Sequence, residues 1–343
     1  MSPVSLQKPR NAGLLYFWTF RIFSVARHQQ SGVHIYLIIF LPRWHQIDSR
    51  RCSGLAIWFA TLVQSSILRM AGMSTYWSVE CNSRGRDFVV GDVHGHKAQL
   101  QAQLDALEFN PGADRLFFVG DIVDRGPDSA GLVEMIDQRT YISILGNHEA
   151  MLIAGFEDPG LVELHQANGG AWFYALPRSR QRAIVEQVRE WPWALDIGVG
   201  EQRIGLVHAD VPGSDWELVK KLLGDISQAW SAGAPLSDER LALVTRPLMW
   251  QRTLVTRLYQ KVLGLGSGNR TVSEDKRAFE DRKSRLLAPE PALVRPFQVR
   301  GIDAVYMGHT FVPTVVNLGN CYFLDSYRGG ADEELSIQCI SAH

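Results

Sequence analysis

Three times in succession, a short apolar run ends at a glycine and is followed by a segment with helical periodicity. The apolar runs cover residues 88–90, 115–119 and 141–145. In the first helical segment, 97–109, Leu100, Leu104 and Leu107 recur three or four residues apart, which predicts a helix with one apolar face. Repeated strand–loop–helix units favour a mostly parallel sheet with each loop at the carboxyl ends of the strands. Open α/β sheets bind ligands at that edge, so we expect the loops to converge there.

Polar side chains gather in the loops that follow these runs. Two later apolar runs, 203–207 and 304–307, end in the same way at His208 and at Gly308-His309, and we expect them to feed the same edge. Burying many polar groups together is costly unless a cation compensates them. The sequence therefore predicts that this edge holds two divalent metal ions, and it offers six candidate ligands: Asp92, His94, Asp121, Asn147, His208 and His309.

The types of donor indicate the metal and the chemistry. Carboxylate, neutral imidazole and carboxamide, with no thiolate, suit Mn²⁺, Fe²⁺ or Zn²⁺. Asp121 can bridge two cations, and a pair about 3.5 to 4 Å apart makes hydroxide available at neutral pH for in-line attack on a phosphoryl group. Arg125 can offer a planar fork to phosphate oxygens. His148, next to Asn147, is placed to protonate the leaving group, and Asp124 to keep that histidine protonated and oriented.

The chain resembles a known family at three glycine motifs. They are Gly91-Asp92-Val93-His94-Gly95, Gly120-Asp121-Ile122-Val123-Asp124-Arg125-Gly126 and Gly146-Asn147-His148-Glu149. This series resembles the signature of the phosphoprotein phosphatase family of calcineurin-like metallophosphoesterases. It looks closest to the bacterial and bacteriophage-type serine/threonine protein phosphatases, because residues 168–173, 208–212, 250–252 and 308–310 also match. The resemblance covers about Arg86 to Tyr327.

The resemblance implies an α/β (α+β) fold, a four-layer αββα sandwich with a dinuclear metal site at the carboxyl-terminal edge of its strands. One ion would be held by Asp92, His94 and Asp121, and the other by Asp121, Asn147, His208 and His309. The expected ions are Mn²⁺, with Fe²⁺ or Zn²⁺ as alternatives. The resemblance further implies His148 as the general acid with Asp124 behind it. It assigns the substrate phosphate to Arg125, Arg252 and Asn147.

Three functions compete. The first is a protein-serine/threonine phosphatase that hydrolyses phosphomonoesters of a phosphoprotein or phosphopeptide by direct attack of a metal-bridging hydroxide. The second is a symmetrical bis(5'-nucleosyl)-tetraphosphatase, in whose relatives the acidic residue of the second motif is small and the third motif ends in Asp. Asp124 and Glu149 favour the first function. The third is a metal-binding pseudophosphatase or adaptor, which would lack a ligand or the catalytic histidine, and this chain lacks neither.

Composition narrows the partners and the setting. A formal net charge of −1 and a pI near 6.8 give no global attraction to nucleic acid, so we expect no nucleic-acid partner. The four cysteines form no Cys-x-x-Cys pair, which argues against a zinc knuckle and a disulfide framework. A reduced, cytoplasmic setting fits this pattern best.

Domain organisation follows from a change in composition. Residues 1–72 are apolar stretches broken by arginines, with almost no acidic residues, and no run reaches the roughly 18 to 20 apolar residues that span a bilayer. We expect either a mis-called start, with translation beginning at Met70 or Met73, or a peripheral anchor, in which case alone the chain contacts a membrane. Residues 86–343 are predicted to form the phosphatase domain. Within it, 253–300 is either a solvated helix and linker or a flap whose basic residues recruit acidic phosphopeptides.

Overall fold

A computed structural model of the protein describes residues 74–265, 272–330 and 333–341, which belong to the unit Ser49–His343. The predicted N-terminal extension, 1–72, lies outside the described residues, as does most of the glycine-rich stretch within 253–300. None of the helices in the described ranges is long and apolar enough to cross a membrane.

The strands form two sheets. They are β1 (Tyr76–Val79), β2 (Asp87–Val90), β3 (Arg115–Phe118), β4 (Tyr141–Ser143), β5 (Ala194–Val199), β6 (Gln202–Val207), β7 (Ala304–Met307), β8 (Val316–Leu318), β9 (Cys321–Phe323) and β10 (Ile337–Cys339). One sheet has the order β1-β5-β6-β7-β9-β8, and the other has the order β10-β2-β3-β4. Strands β2, β3 and β4 are parallel, as the strand–loop–helix repeats predict, and β10 adds an antiparallel edge.

The two-sheet arrangement corrects one expectation. The strands that precede His208 and His309, β6 and β7, lie in the six-stranded sheet and not beside β2, β3 and β4. They pair in parallel, so their carboxyl ends still reach a common edge. The candidate ligands therefore come from two sheets, as the resemblance to a sandwich implied, and not from one parallel sheet.

Helices cover the outer faces of the sheets. They are α1 (Lys97–Ala106), α2 (Ser129–Met135), α3 (Asn147–Glu157), α4 (Val162–His165), α5 (Ala171–Tyr174), α6 (Arg178–Arg189), α7 (Trp216–Ser231), α8 (Asp238–Met249), α9 (Thr253–Arg257), α10 (Val272–Glu280) and α11 (Pro291–Val294). Single 3₁₀ turns lie at Pro159–Leu161, Pro212–Ser214, Lys283–Leu286 and Arg295–Phe297, and π turns at Gln166–Gly170 and Leu258–Val262.

The first helix ends earlier than its periodicity predicts. α1 stops at Ala106, and Leu107, expected on its apolar face, is exposed. The chain turns there because Glu108 adopts φ = 50°, in the left-handed region. Its N–H and that of Phe109 then donate to the carbonyls of Asp105 and Leu104, which closes the helix with a Schellman motif.

Alternating side chains divide the core into layers. Along the four-stranded sheet, Val89, Phe117 and Ile142 face the six-stranded sheet and pack against residues such as Leu195 and Leu206. Their strand neighbours belong to a second cluster, which includes the apolar side chains of the outer helices: Phe88, Val90, Leu116 and Phe118 with Leu100, Leu104, Leu132 and Val133. This alternation is the period-2 pattern of strands, and it produces the helix–sheet–sheet–helix sandwich that the resemblance implied.

The described part of segment 253–300 contributes to this core. Leu254, Leu258, Phe279 and Phe297 are buried among its apolar side chains. The segment is therefore anchored at several points, and its boundaries as a flap stay a prediction.

A single glycine allows α7 to pack closely on β6. A Cβ atom at Gly205 would lie 2.5 Å from the ring of Trp216, which is fully buried. We expect Gly205→Ala to lower the free energy of unfolding by about 1–3 kcal/mol, because the added methyl group would force a fully buried ring to shift. Chemical denaturation measures this change. Gly224→Ala is the matched control: nothing lies within 4 Å of its added Cβ, and in a helix it is expected to stabilise by about 0.5–1 kcal/mol. Equal effects of the two changes would contradict the close packing.

Candidate active site

The structure brings the six predicted metal ligands together. Each is buried, and each lies in a loop or helix start that follows a strand: Asp92 and His94 after β2, Asp121 after β3, Asn147 at the start of α3, His208 after β6 and His309 after β7. Two sheets and α3 therefore supply the donors. Their roles as ligands stay predictions.

One half of the cluster centres on Asn147. Its Oδ1 atom lies 3.0 Å from His208 Nε2 and 2.7 Å from His309 Nδ1. The Oδ2 atom of Asp121 lies 3.3 Å from the same His208 nitrogen. One donor atom from each of Asp121, His208 and His309 falls within a 4.8 Å group, which is the size of a metal-binding site.

The other half shares Asp121 with the first. The Nε2 atom of His94 lies 4.0 Å from one carboxylate oxygen of Asp92 and 4.0 Å from Asp121 Oδ2. His94, Asp121 and His148 also form a 4.8 Å group, so the geometry alone places His148 close enough to act as a further ligand. Asp121 is the one carboxylate common to both groups, as expected of a bridging residue.

The three ligand imidazoles are oriented from behind. One ring nitrogen of each lies at hydrogen-bond distance from a backbone carbonyl: His94 Nδ1 from Val123 (3.0 Å), His208 Nδ1 from Val119 (2.8 Å) and His309 Nε2 from Trp250 (3.2 Å). A ring N–H donated to a carbonyl leaves the lone pair of the other nitrogen facing the cluster. The lone pairs of His208 and His309 meet carboxylate and amide oxygens, which are also acceptors, so a cation among them would satisfy both sides. The lone pair of His94 faces the Arg125 guanidinium at 2.7 Å and the carboxylates of Asp92 and Asp121 at 4.0 Å. The residues present fit a metal site.

The charges of the cluster favour a cation in the same way. Burial lowers the pKa of His208, but the Asp121 carboxylate beside it more than offsets this and raises the pKa to about 9. The negative charge of Asp121 therefore attracts a proton to this nitrogen, and a metal ion bound there would take the place of that proton. Burial also raises the pKa of Asp92 well above its usual range, with Asp325 and Asp121 adding to the rise. Buried carboxylates that have no cation tend to take up protons, and bound metal ions reverse that tendency.

Glycines leave the room that the ligands occupy. A Cβ atom at Gly146 would lie 2.2 Å from Asp121 Oδ1, and one at Gly308 would lie 2.0 Å from Asp92 Oδ1. Any side chain at either position would displace a carboxylate. This explains why glycine stands in these motifs beside the candidate ligands.

The predicted general acid is paired with its predicted partner. His148 Nδ1 lies 2.7 Å from Asp124 Oδ2, and both side chains are buried. Burial raises the pKa of Asp124, but hydrogen bonds from His148 and His165 outweigh it and lower the pKa to about 2. Because the carboxylate is therefore ionised, it accepts a hydrogen bond from the Nδ1–H group of His148. Nε2 of the same ring then lies on the side of the metal cluster.

The two predicted phosphate-binding arginines are exposed at the mouth of the cluster. The guanidinium of Arg125 lies 2.7 Å from His94 Nε2 and 3.0 Å from His148 Nε2. Arg252 lies near enough to Asp121 and Arg125 for their charges to act on it. It stands just before α9, whose first N–H groups donate to Asp210. Asp210 therefore caps a helix.

Glu149 has a structural role that its sequence motif did not predict, since the motif only separated two candidate functions. The buried carboxylate accepts backbone hydrogen bonds from Asp121, Ile122 and Gly146 at 2.8–2.9 Å and from Val123 at 3.3 Å. Burial and Asp121 raise its pKa to about 7 while the N–H donors oppose the rise. Four converging donors leave no acceptor for a carboxyl proton, so the ionised form fits this geometry. Glu149 ties the second motif to the third.

We expect Glu149→Gln to loosen the Asp121 loop. One carboxylate oxygen would become an NH₂ group that faces backbone N–H donors, so the free energy of unfolding should fall by about 1–3 kcal/mol. Metal affinity should fall by about 10–100-fold, as it does when groups that orient ligands are lost. Denaturation and equilibrium dialysis with Mn²⁺ measure the two effects. Glu157→Gln, on the same helix but beside Arg189, is the control; unchanged metal affinity in Glu149→Gln would contradict the role.

The fold and the site together define the class. A buried carboxylate–imidazole–amide cluster lies where the strands of two sheets end, and arginines lie at its mouth. This combination is typical of a metallophosphoesterase. The sequence agrees: the family model described as calcineurin-like phosphoesterase matches residues 88–313, more than half of the chain. The chain belongs to the calcineurin-like phosphoesterase family. Members of this family use two divalent metal ions, and the Asp and His groups described above fit that use.

Individual relatives have two kinds of name. "Serine/threonine-protein phosphatase 2" of Escherichia coli strain K12 is 34% identical over 150 residues, which cover 43% of this chain and 68% of that protein. A symmetrical bis(5'-nucleosyl)-tetraphosphatase of Azotobacter vinelandii is 31% identical over 137 residues, 39% of this chain and 47% of that protein. Among solved structures, a protein serine/threonine phosphatase from Saccharomyces cerevisiae covers 84% of this chain and 90% of its own at 14% identity and a TM-score of 0.43.

Proposed function

We propose that this metallophosphoesterase is a protein-serine/threonine phosphatase that uses two Mn²⁺ ions. The observation that carries the proposal is the buried hydrogen bond of 2.7 Å between His148 Nδ1 and Asp124 Oδ2. Phosphoserine and phosphothreonine release an alkoxide, which is a poor leaving group and needs a proton as the bond breaks. A nucleoside diphosphate leaves from a dinucleoside tetraphosphate with far less need of one. A buried, carboxylate-bound acid therefore suits the protein substrate better.

In the proposed reaction, the residues of the site have three roles: metal binding, phosphate binding and proton donation. Asp92, His94, Asp121, Asn147, His208 and His309 would hold the two cations. When bound, the cations would supply the nucleophile at neutral pH and the positive charge that the phosphoryl group requires. Arg125 and Arg252 bind and orient the phosphate oxygens from the mouth of the cluster, with Asn147 on the inner side. His148 gives the proton on Nε2 to the leaving oxygen, and Asp124 holds the ring in place while it does so.

The relatives support both substrate classes, because serine/threonine phosphatases and tetraphosphatases each match this chain. We expect the tetraphosphatases to carry a small residue at the position of Asp124 and an Asp at that of Glu149. The presence of Asp124 and Glu149 in this chain therefore favours the serine/threonine phosphatase. The metal identity, the phosphoprotein substrate and a cytoplasmic setting belong to the proposal.

A comparison of the two candidate substrates tests the proposal. The full chain, loaded with Mn²⁺, is assayed with a phosphoserine/phosphothreonine peptide and with diadenosine tetraphosphate, and the products are separated by chromatography. We expect faster release of phosphate from the peptide at equal substrate concentration. Preferential symmetrical cleavage of the dinucleotide would overturn the substrate class and leave the metal-site assignment in place. The Asp121→Asn variant, purified in parallel, shows how much activity any contaminating phosphatase supplies.

A further inference from the structure

The Asp124 carboxylate accepts more hydrogen bonds than the pairing with His148 requires. Trp172 Nε1 donates to Asp124 Oδ1 at 2.8 Å. His165 Nε2 lies 3.0 and 3.1 Å from the two oxygens. Asp124 and His165 have no exposed surface, and Trp172 is half-buried. Because an ionised carboxylate only accepts, each of these groups must donate to it.

Both extra donors come from one short segment, which we call the 162–174 turn. It runs from α4 through the π turn Gln166–Gly170 into α5. Residues 168–173 are part of the match to the bacterial and bacteriophage-type phosphatases, and the proposed function gives them no role. His165 ends α4 and Trp172 lies in α5, so the π turn brings the two side chains to the same carboxylate.

The 162–174 turn is itself held firmly. His165 Nδ1 lies 3.0 Å from the hydroxyl of Tyr174, which donates to it and so leaves the ring proton on Nε2 for Asp124. A Cβ atom at Gly170 would lie 2.2 Å from the His165 ring, so glycine is needed there. The carbonyl of Gly169 also accepts the backbone N–H of Arg125 at 3.3 Å. The turn therefore contacts both Asp124 and Arg125 of the second motif.

We propose that His165 and Trp172 are positioning residues for proton donation by His148, an inference that rests on the proposed function. If His148 were its only partner, the Asp124 carboxylate could rotate and the His148 ring could change its orientation. Trp172, which donates to Oδ1, and His165, which lies against both oxygens, fix the plane of the carboxylate. Oδ2 then faces His148 Nδ1, and the ring keeps its Nε2 toward the leaving oxygen. His165 and Trp172 act through Asp124 and do not contact the substrate.

Two substrates that differ in their leaving group test this inference. With a phosphoserine peptide, His165→Leu and Trp172→Phe should each lower kcat by about 10–100-fold, the usual cost of losing a group that orients a functional residue. With p-nitrophenyl phosphate, whose nitrophenolate leaves without a proton, kcat should fall by less than about 3-fold, because general acid catalysis is not needed there. KM for the peptide and the bound Mn²⁺ should not change. His165→Gln, which keeps an N–H donor, should recover most of the peptide activity.

The controls separate a positioning role from a loss of folding. Trp230 is also buried, and its Nε1 atom has no hydrogen-bond partner in the described part of the chain, so Trp230→Phe should affect neither substrate. Combining His165→Leu with His148→Gln should add no further loss to that of His148→Gln alone, since both changes disable one step. Equal losses with both substrates in His165→Leu and Trp172→Phe, or additive losses in the double variant, would overturn the inference.

The His148→Gln variant distinguishes failure of this inference from failure of the proposed function. If His148→Gln slows the peptide far more than p-nitrophenyl phosphate while the turn variants do not, the inference fails and the proposed general acid stands. If His148→Gln slows both substrates alike, the proposed role of His148 fails, and the inference that depends on it fails as well.

Discussion

Replacing His148 with asparagine is expected to lower kcat on a phosphoserine peptide by about 10²–10⁴-fold, the usual contribution of a general acid. The side chain is buried, its Nδ1 is bound to Asp124, and its Nε2 lies 3.0 Å from the guanidinium of Arg125 at the mouth of the cluster. No other imidazole in the described ranges is placed with a carboxylate behind it and Arg125 in front. KM should change little, because the proposed function assigns phosphate binding to the arginines and the metal ions.

Steady-state kinetics with Mn²⁺ and metal analysis of the purified variant measure this result. His96→Asn is the matched control: His96 lies against the ring of Tyr327, 4.9 Å away, and not in the cluster, so kcat should stay near that of the parent chain. Undiminished turnover in His148→Asn would contradict the role, as would a large loss of bound Mn²⁺, which would make His148 a ligand. Trapping of a phosphorylated residue would contradict direct transfer to water.

The Asp121→Asn change is expected to be the most damaging at the metal cluster. Asp121 is shared by the two donor groups, so losing its charge weakens both at once. Turnover should fall by about 10³-fold or more, since metal ions supply several kcal/mol of transition-state stabilisation and each 1.36 kcal/mol is a factor of ten. The amide keeps the size of the side chain. It also keeps an oxygen that can accept a hydrogen bond from the backbone N–H of His148, as Asp121 Oδ1 now does at 2.9 Å.

Metal content decides this prediction. Inductively coupled plasma mass spectrometry should find fewer than two Mn²⁺ ions per chain in Asp121→Asn after dialysis, alongside the loss of turnover. Asp196→Asn is the control, because Asp196 is a buried carboxylate on β5 that pairs with Arg203 and not with the cluster. Two retained Mn²⁺ ions in Asp121→Asn would show that this carboxylate is not a bridge.

The local pattern of the chain predicted much of this site. Each candidate ligand follows an apolar run, and an apolar run of this length forms a strand whose carboxyl end fixes where the next loop lies. That rule brought Asp92, Asp121 and Asn147 to one place although they are far apart in the chain. The parallel pairing of β2, β3 and β4 followed from the same repeats.

Backbone conformation at the site lay beyond that pattern. Five site residues adopt positive φ: His94 (45°), Asp121 (51°), Asp124 (73°), Arg125 (67°) and His309 (67°). A side chain in this region is strained, and it stays there only where surrounding contacts hold it. Those contacts, such as the four N–H groups on Glu149, come from other parts of the chain, so no window of sequence around each residue predicts them.

The sequence by itself determined which residues are candidates for the chemistry and at which ends of the strands they lie, because both follow from residue type and from periodicity within a few positions. Only the tertiary structure decided that β6 and β7 form part of a second sheet, and that His165 and Trp172 meet the Asp124 carboxylate. Sheet membership depends on which apolar faces cover each other across the whole fold. A third partner for a buried carboxylate depends on a turn 41 residues away, and no local propensity encodes either of them.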